Sequence, residues 1–140
     1  AYDDWKGPFY TPDTPREKML AAFSRVFDAV EVDATFHAAP KRSVLEGWAA
    51  QTPPHFRFAP KLPRALTHDR GLIGVEDDAL AFAHLLQDGL GERLGAILVQ
   101  LPPEFGPGQI HTLAAFAKAV GRRGIPWAVE LRDPAWSATS

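Results

Sequence analysis

Ala29-Val30-Glu31-Val32-Asp33-Ala34-Thr35-Phe36 divides by parity, Val30 and Val32 on one side and Glu31, Asp33 and Thr35 on the other, as expected of a strand whose side chains alternate between two faces. Three further runs repeat the division. FRFAPKL from Phe56 sets Phe56 and Phe58 against Arg57, Ala59 and Lys61. AILVQL from Ala96 sets Ile97, Val99 and Leu101 against Ala96, Leu98 and Gln100. WAVELR from Trp127 sets Trp127, Val129 and Leu131 against Ala128, Glu130 and Arg132. One face is wholly apolar, and the polar groups of the other gather toward the carboxyl end of each run.

The starts of these runs lie 27, 40 and 31 residues apart, too far for hairpins and suited to strand-helix-strand crossovers, so the strands should be parallel neighbours. Helical stripes fill the gaps. Thr14-Pro15-Arg16-Glu17 combines a capping hydroxyl, a first-turn proline and a glutamate three residues after the cap, ahead of Met19, Phe23, Val26 and Phe27. A second helix is expected over about Lys41 to Ala50, with Val44, Leu45 and Trp48 inward. The third carries Val75, Ala79, Phe82, Leu86 and Leu90 behind Glu76, Asp77 and Asp78 at its positive end. The fourth, about Gln109 to Val120, uses Ile110, Leu113, Ala117 and Val120 and stops at Gly121-Arg122-Arg123-Gly124.

An open doubly wound sheet covers both faces with helices and makes its strands nearly continuous apolar runs. These strands are two-faced. The pattern predicts an α/β fold, part of a (β/α)8 barrel in which four parallel strands alternate with four helices and the polar face lines the interior. A one-sided sheet with a solvated outer face would show the same alternation. Pro60 cannot donate to a ladder, so its strand should stop pairing there or lie at an edge, leaving Lys61 at the mouth. Four strands cannot close a barrel; on its own such a chain should aggregate, pair with a second copy or be marginally stable.

At 140 residues, 46% of them hydrophobic and 23% charged, the chain reads as one globular domain, residues 1–140, without linker or low-complexity tract. It has no cysteine, which excludes disulfide and thiolate chemistry. A net charge of -2 argues against holding nucleic acid by bulk charge. No stretch is long and apolar enough to span a bilayer and no leader or address is visible, so the expectation is a cytoplasmic protein without membrane partners.

Trp5-Lys6-Gly7 with Phe9-Tyr10 and Pro12, followed by VEVDATFH, FRFAPKLPRALTH, LVQLPPEF and AVELRDPAW, resembles the YecE-like family, the domain of unknown function numbered 72. The resemblance runs over nearly the whole chain. It implies a TIM-barrel-like fold and no established reaction, cofactor or substrate. Family members are longer, so the chain is expected to hold roughly the second to fifth βα units. Against the family's usual letters, Asp33 stands where asparagine is common, His37 where tyrosine is, and Asp133 where histidine is.

The candidate site is the polar face at the strand ends: Glu31, Asp33, Lys61, Gln100, Glu130 and Arg132. Carboxylates beside an ammonium and a guanidinium shift one another's protonation, as acid/base chemistry requires. Glu31, Glu130 and Asp33 are the catalytic candidates. Lys61, Arg132 and Gln100, with Arg64, His68 and His37 from the flanking loops, would hold a phosphate- or carboxylate-bearing substrate. The expected function is hydrolysis or proton transfer; the bland alternative is an internal salt-bridge network. No cofactor is required by any motif. A divalent metal on His37 and His68 with Glu31, Asp33 or Glu130 has no diagnostic spacing behind it. The competing function is a non-catalytic nucleic-acid or polyanion-binding module, built on the basic loop Lys61, Arg64, His68 and Arg70 with Trp5, Phe9, Tyr10 and Phe36 for stacking. His55, His84 and His111 read as surface residues, Trp127 and Trp136 as anchors, and the oligomeric state is not encoded in any motif.

Overall fold

A computed structural model of the protein describes residues 20–139, Ala22 excepted. The cap at Thr14-Pro15-Arg16-Glu17, Met19, and the aromatics Trp5, Phe9 and Tyr10 lie outside the described residues. Four short strands lie among the described residues: β1 (Ala29–Val32), β2 (Arg57–Pro60), β3 (Ile97–Gln100) and β4 (Trp127–Glu130). A one-turn helix α1 (Ala34–His37) and the longer α2 (Arg42–Ala50) link β1 to β2, α3 (Glu76–Leu90) links β2 to β3, and α4 (Ile110–Val120) links β3 to β4.

All strand pairing among the described residues is parallel. Val30 lies opposite Phe58 in one ladder and Val99 opposite Val129 in the other; single parallel bridges from Phe58 to Leu94 and from Lys61 to Leu98 join them in the order β1-β2-β3-β4. The two bridges are three residues apart on β2 but four apart on the segment entering β3. One extra residue is therefore absorbed at Gly95-Ala96, whose amides approach the Phe58 carbonyl at 2.8 and 3.5 Å. Without that bulge Ile97 would lie opposite Lys61 and β3 would turn its apolar set to the polar face.

Pro60 corrects one expectation. β2 is interior to the sheet order, and pairing continues past the proline: Lys61 N donates to Val32 O at 3.3 Å and Leu62 N to Leu98 O at 2.8 Å. The missing proline amide would have faced β3 within the interval that the bulge spans, where a ladder donor is not needed.

The apolar face of β1 to β3 is buried as expected, Val30, Val32, Phe56, Phe58, Ile97, Val99 and Leu101 packing with Leu45, Leu62, Phe82, Leu86 and Phe116. Edge-to-face and stacked rings knit it together, Phe56 with Phe58 at 5.1 Å and Trp48 with Phe58 at 6.0 Å between centroids. Where the buried stripes differ from those expected, geometry explains why. Val26 is exposed because the chain has already left the helix after Ser24. Val44 and Ile110 sit in the first turns of α2 and α4, facing solvent, and Phe116, not the exposed Ala117, supplies the buried step of α4 with Val120. Val129 and Leu131 are 48% and 40% exposed because no described helix covers that part of β4. Trp127 and Trp136 are anchors, their indole N–H groups donating to Val120 O at 2.9 Å and Phe105 O at 2.8 Å.

Candidate functional site

The strand ends carry the charged groups, and backbone pairing puts them there. β1 stops at Val32 and Asp33 turns into α1, so Thr35 leaves the polar strand face it was assigned from parity. Its buried hydroxyl instead lies 2.7 Å from Lys61 O and 3.2 Å from Val32 O. That clamp ties the end of β1 to the end of β2. The Lys61 ammonium, its side chain only 13% exposed, lies 2.7 Å from Asp33 Oδ1, whose side chain is 74% exposed. The less exposed partner is the cation.

Beyond Lys61 the chain enters a single π-helical turn, Ala65–Asp69, a geometry often found at functional positions. Phe36 from α1 sits against it. Lys61 Nζ and Arg64 Cζ lie 6.0 and 5.9 Å from the Phe36 ring centroid, close enough for cation-π attraction, and the His68 ring meets Phe36 edge-on at 5.0 Å. His68 Nδ1 is 2.9 Å from the buried Thr67 hydroxyl. Burial and then the Arg64 guanidinium hold the His68 imidazolium below the usual histidine range; Asp69 and Glu104 oppose this, and Arg132 adds a smaller push downward. Those influences place the loops after β2, β3 and β4 in electrostatic reach of one ring.

The second group lies on the same face one strand over. Gln100 is two residues beyond Leu98, the bridge partner of Lys61, which is about 6.6 Å of strand rise. Gln100 is opposite Glu130 in the ladder and buried. Arg132 donates from Nη2 to Gln100 Oε1 at 3.2 Å and from Nε to Glu130 Oε1 at 3.3 Å. Glu31, opposite Ala59, is exposed and joins neither group by hydrogen bond or ion pair among the described residues. His37 is exposed at the end of α1, 5.7 Å from Phe36. Among the described residues no three His, Asp or Glu side chains are grouped to hold a metal ion.

The basic loop is largely spoken for. Arg70 donates to Gly74 O at 2.7 Å and to Asp78 at 3.4 Å, pinning the loop to the start of α3, and Arg64 lies 3.8 Å from Asp69. Asp133 accepts from Ala135 N at 2.9 Å and packs on Gly106, where a Cβ would come within 2.5 Å of its carboxylate. His55, His84 and His111 are exposed. Thr67, Glu104 and the hub position of Phe36 are not marked by alternation along any strand. Thr67-His68, two residues beyond Leu62-Pro63-Arg64, is the available signal, but only the wide turn buries Thr67.

Parallel strands with helices on one face and charged groups at their carboxyl ends define a TIM-barrel-like α/β protein. The family model described as Protein of unknown function DUF72 matches residues 1–140, and the chain belongs to that family. It is 34% identical over 133 residues to UPF0759 protein YunF of Bacillus subtilis, covering 91% of this chain and 47% of that protein. It is 32% identical over 119 residues to UPF0759 protein YecE of Escherichia coli, covering 85% and 43% respectively. The chain thus spans about half the length of the curated relatives it matches. A DUF72 family protein from Thermotoga maritima superposes with a TM-score of 0.78 at 26% identity, covering 96% of this chain and 53% of that one. Another from Enterococcus faecalis gives a TM-score of 0.70 at 22% identity over 86% and 50%, a likeness of fold.

Proposed function

We propose that the strand ends bind a small phosphate- or carboxylate-bearing molecule and that the whole protein acts on it by hydrolysis or proton transfer. The observation that carries this reading is Lys61, its side chain largely withdrawn from water, paired with Asp33 and sharing the Phe36 ring with Arg64. An anion arriving there meets a partly desolvated cation, where attraction is stronger than at an open surface. Arg132, oriented by Gln100, supplies a planar fork on the neighbouring strand. Asp33 and Glu130 each face a cation, so Glu31, with no ion pair among the described residues, is the carboxylate free to take or give a proton.

Turnover of phosphodiester and glycoside panels by the whole protein tests this. Glu31→Gln should lower kcat by about 100-fold or more, Lys61→Met should chiefly raise KM, and Glu130→Gln should have an intermediate effect. Equal rates for wild type and all three variants would remove the reading. Polyanion binding without turnover is the competing outcome, and it would show as affinity falling steeply with salt; the internal pairing of Arg64 and Arg70 argues against it.

A further inference from the structure

We propose that His68 serves the anion site as a neutral hydrogen-bond donor through Nε2–H, not as a general base, with buried Thr67 as the positioning residue that selects this tautomer. This role presupposes the anion site proposed above and adds to it a group that touches the ligand.

The reasoning starts from the Thr67 hydroxyl. It is fully buried, and its one hydrogen-bond partner among the described residues is His68 Nδ1 at 2.9 Å. Two arrangements satisfy that distance. If Nδ1 carried the proton and Thr67 accepted, the threonine hydroxyl hydrogen would be buried with no acceptor, which is costly. If Thr67 donates to Nδ1, its hydroxyl hydrogen has an acceptor and the ring proton resides on Nε2. The second arrangement is therefore favoured. Nε2 makes no hydrogen bond among the described residues and is the ring nitrogen left for a ligand.

The charges around the ring fit a neutral donor. Arg64 and Arg132 disfavour imidazolium, Asp69 and Glu104 favour it, and burial decides against the charge. A neutral imidazole keeps its N–H and so can polarise an oxygen of an anion without the ring titrating across neutral pH. A general base would instead need Nδ1–H and a free lone pair at Nε2, the arrangement that strands the Thr67 hydroxyl.

Nitrogen-15 histidine spectra of the whole protein at pH 7.5, with and without inorganic phosphate, test this directly. Wild type should show Nε2–H at His68, with the Nε2 signal moving as phosphate binds. Thr67→Val should give mixed tautomers and weaker phosphate binding, Thr67→Ser should restore both, and His68→Phe should weaken phosphate binding about tenfold. An Nδ1–H tautomer in the resting wild type overturns the proposal whatever the variants do. Phosphate binding that Lys61→Met abolishes but that leaves His68 Nε2 unmoved overturns the role of His68 while sparing the anion site. No phosphate binding in any form overturns both.

Discussion

Lys61 is placed by its backbone more than by its charge. Its amide pairs with Val32 O and its carbonyl is held by Thr35 Oγ1, so the ammonium projects from a fixed point and Asp33, mostly in water, adds little rigidity of its own. Parity in the sequence was enough to nominate Lys61, but Thr35 required the chain to turn helical after Val32. His68 carries a residue-scale prediction about pH. Its folded-state affinity for a proton is depressed by burial and Arg64, so below the ordinary histidine range the unfolded chain takes up a proton first. Stability contributed by neutral His68 is complete above about pH 6.5 and is lost as pH falls from there toward the folded-state value. Urea midpoints of wild type and His68→Gln, compared between pH 7.5 and 5, should converge or cross as pH falls; a constant gap would refute the burial argument.

At the scale of elements, the helices meet more closely than their apolar stripes announce. A Cβ on Gly89 of α3 would lie 2.5 Å from Leu45 Cβ and 2.9 Å from its Cδ1 in α2, so only glycine lets the two backbones approach this far. Gly89→Ala gains about 1 kcal/mol of helix propensity but forces overpacking that costs about 1–3 kcal/mol. Net destabilisation is expected, read as a lower urea midpoint with unchanged slope. Leu45→Ala should cost about 2–5 kcal/mol by opening a cavity at the same contact. The stripe of α3 was readable because Val75, Ala79, Phe82, Leu86 and Leu90 keep helical spacing. The roles of Gly89 and of the bulge at Gly95-Ala96 were not, since a glycine's reason for being small lies on another element.

For the molecule as a whole, the sheet presents an apolar flank at β4. Trp127 packs edge-on against Phe116 at 5.9 Å, but Val129 and Leu131 beyond it are open to water, which invites association. Light scattering of the 140-residue chain by itself should show mass rising with concentration, and Val129→Lys with Leu131→Lys should suppress it at little cost in stability, because neither side chain is buried here. A monodisperse monomer with a cooperative melt would contradict this expectation.

The sequence by itself determined the local alternation of apolar and polar residues, the crossover lengths that make the strands parallel, and thereby which face Lys61, Gln100 and Glu130 share. These follow from backbone periodicity and chain reach, which neighbours in sequence set. Tertiary structure alone decided the bulge that keeps β3 in register, the Thr35 clamp, the close approach at Gly89, and the meeting of Phe36, Arg64, Thr67 and His68. Each of those depends on where a distant backbone group lies, and alternation along one strand carries no information about that distance.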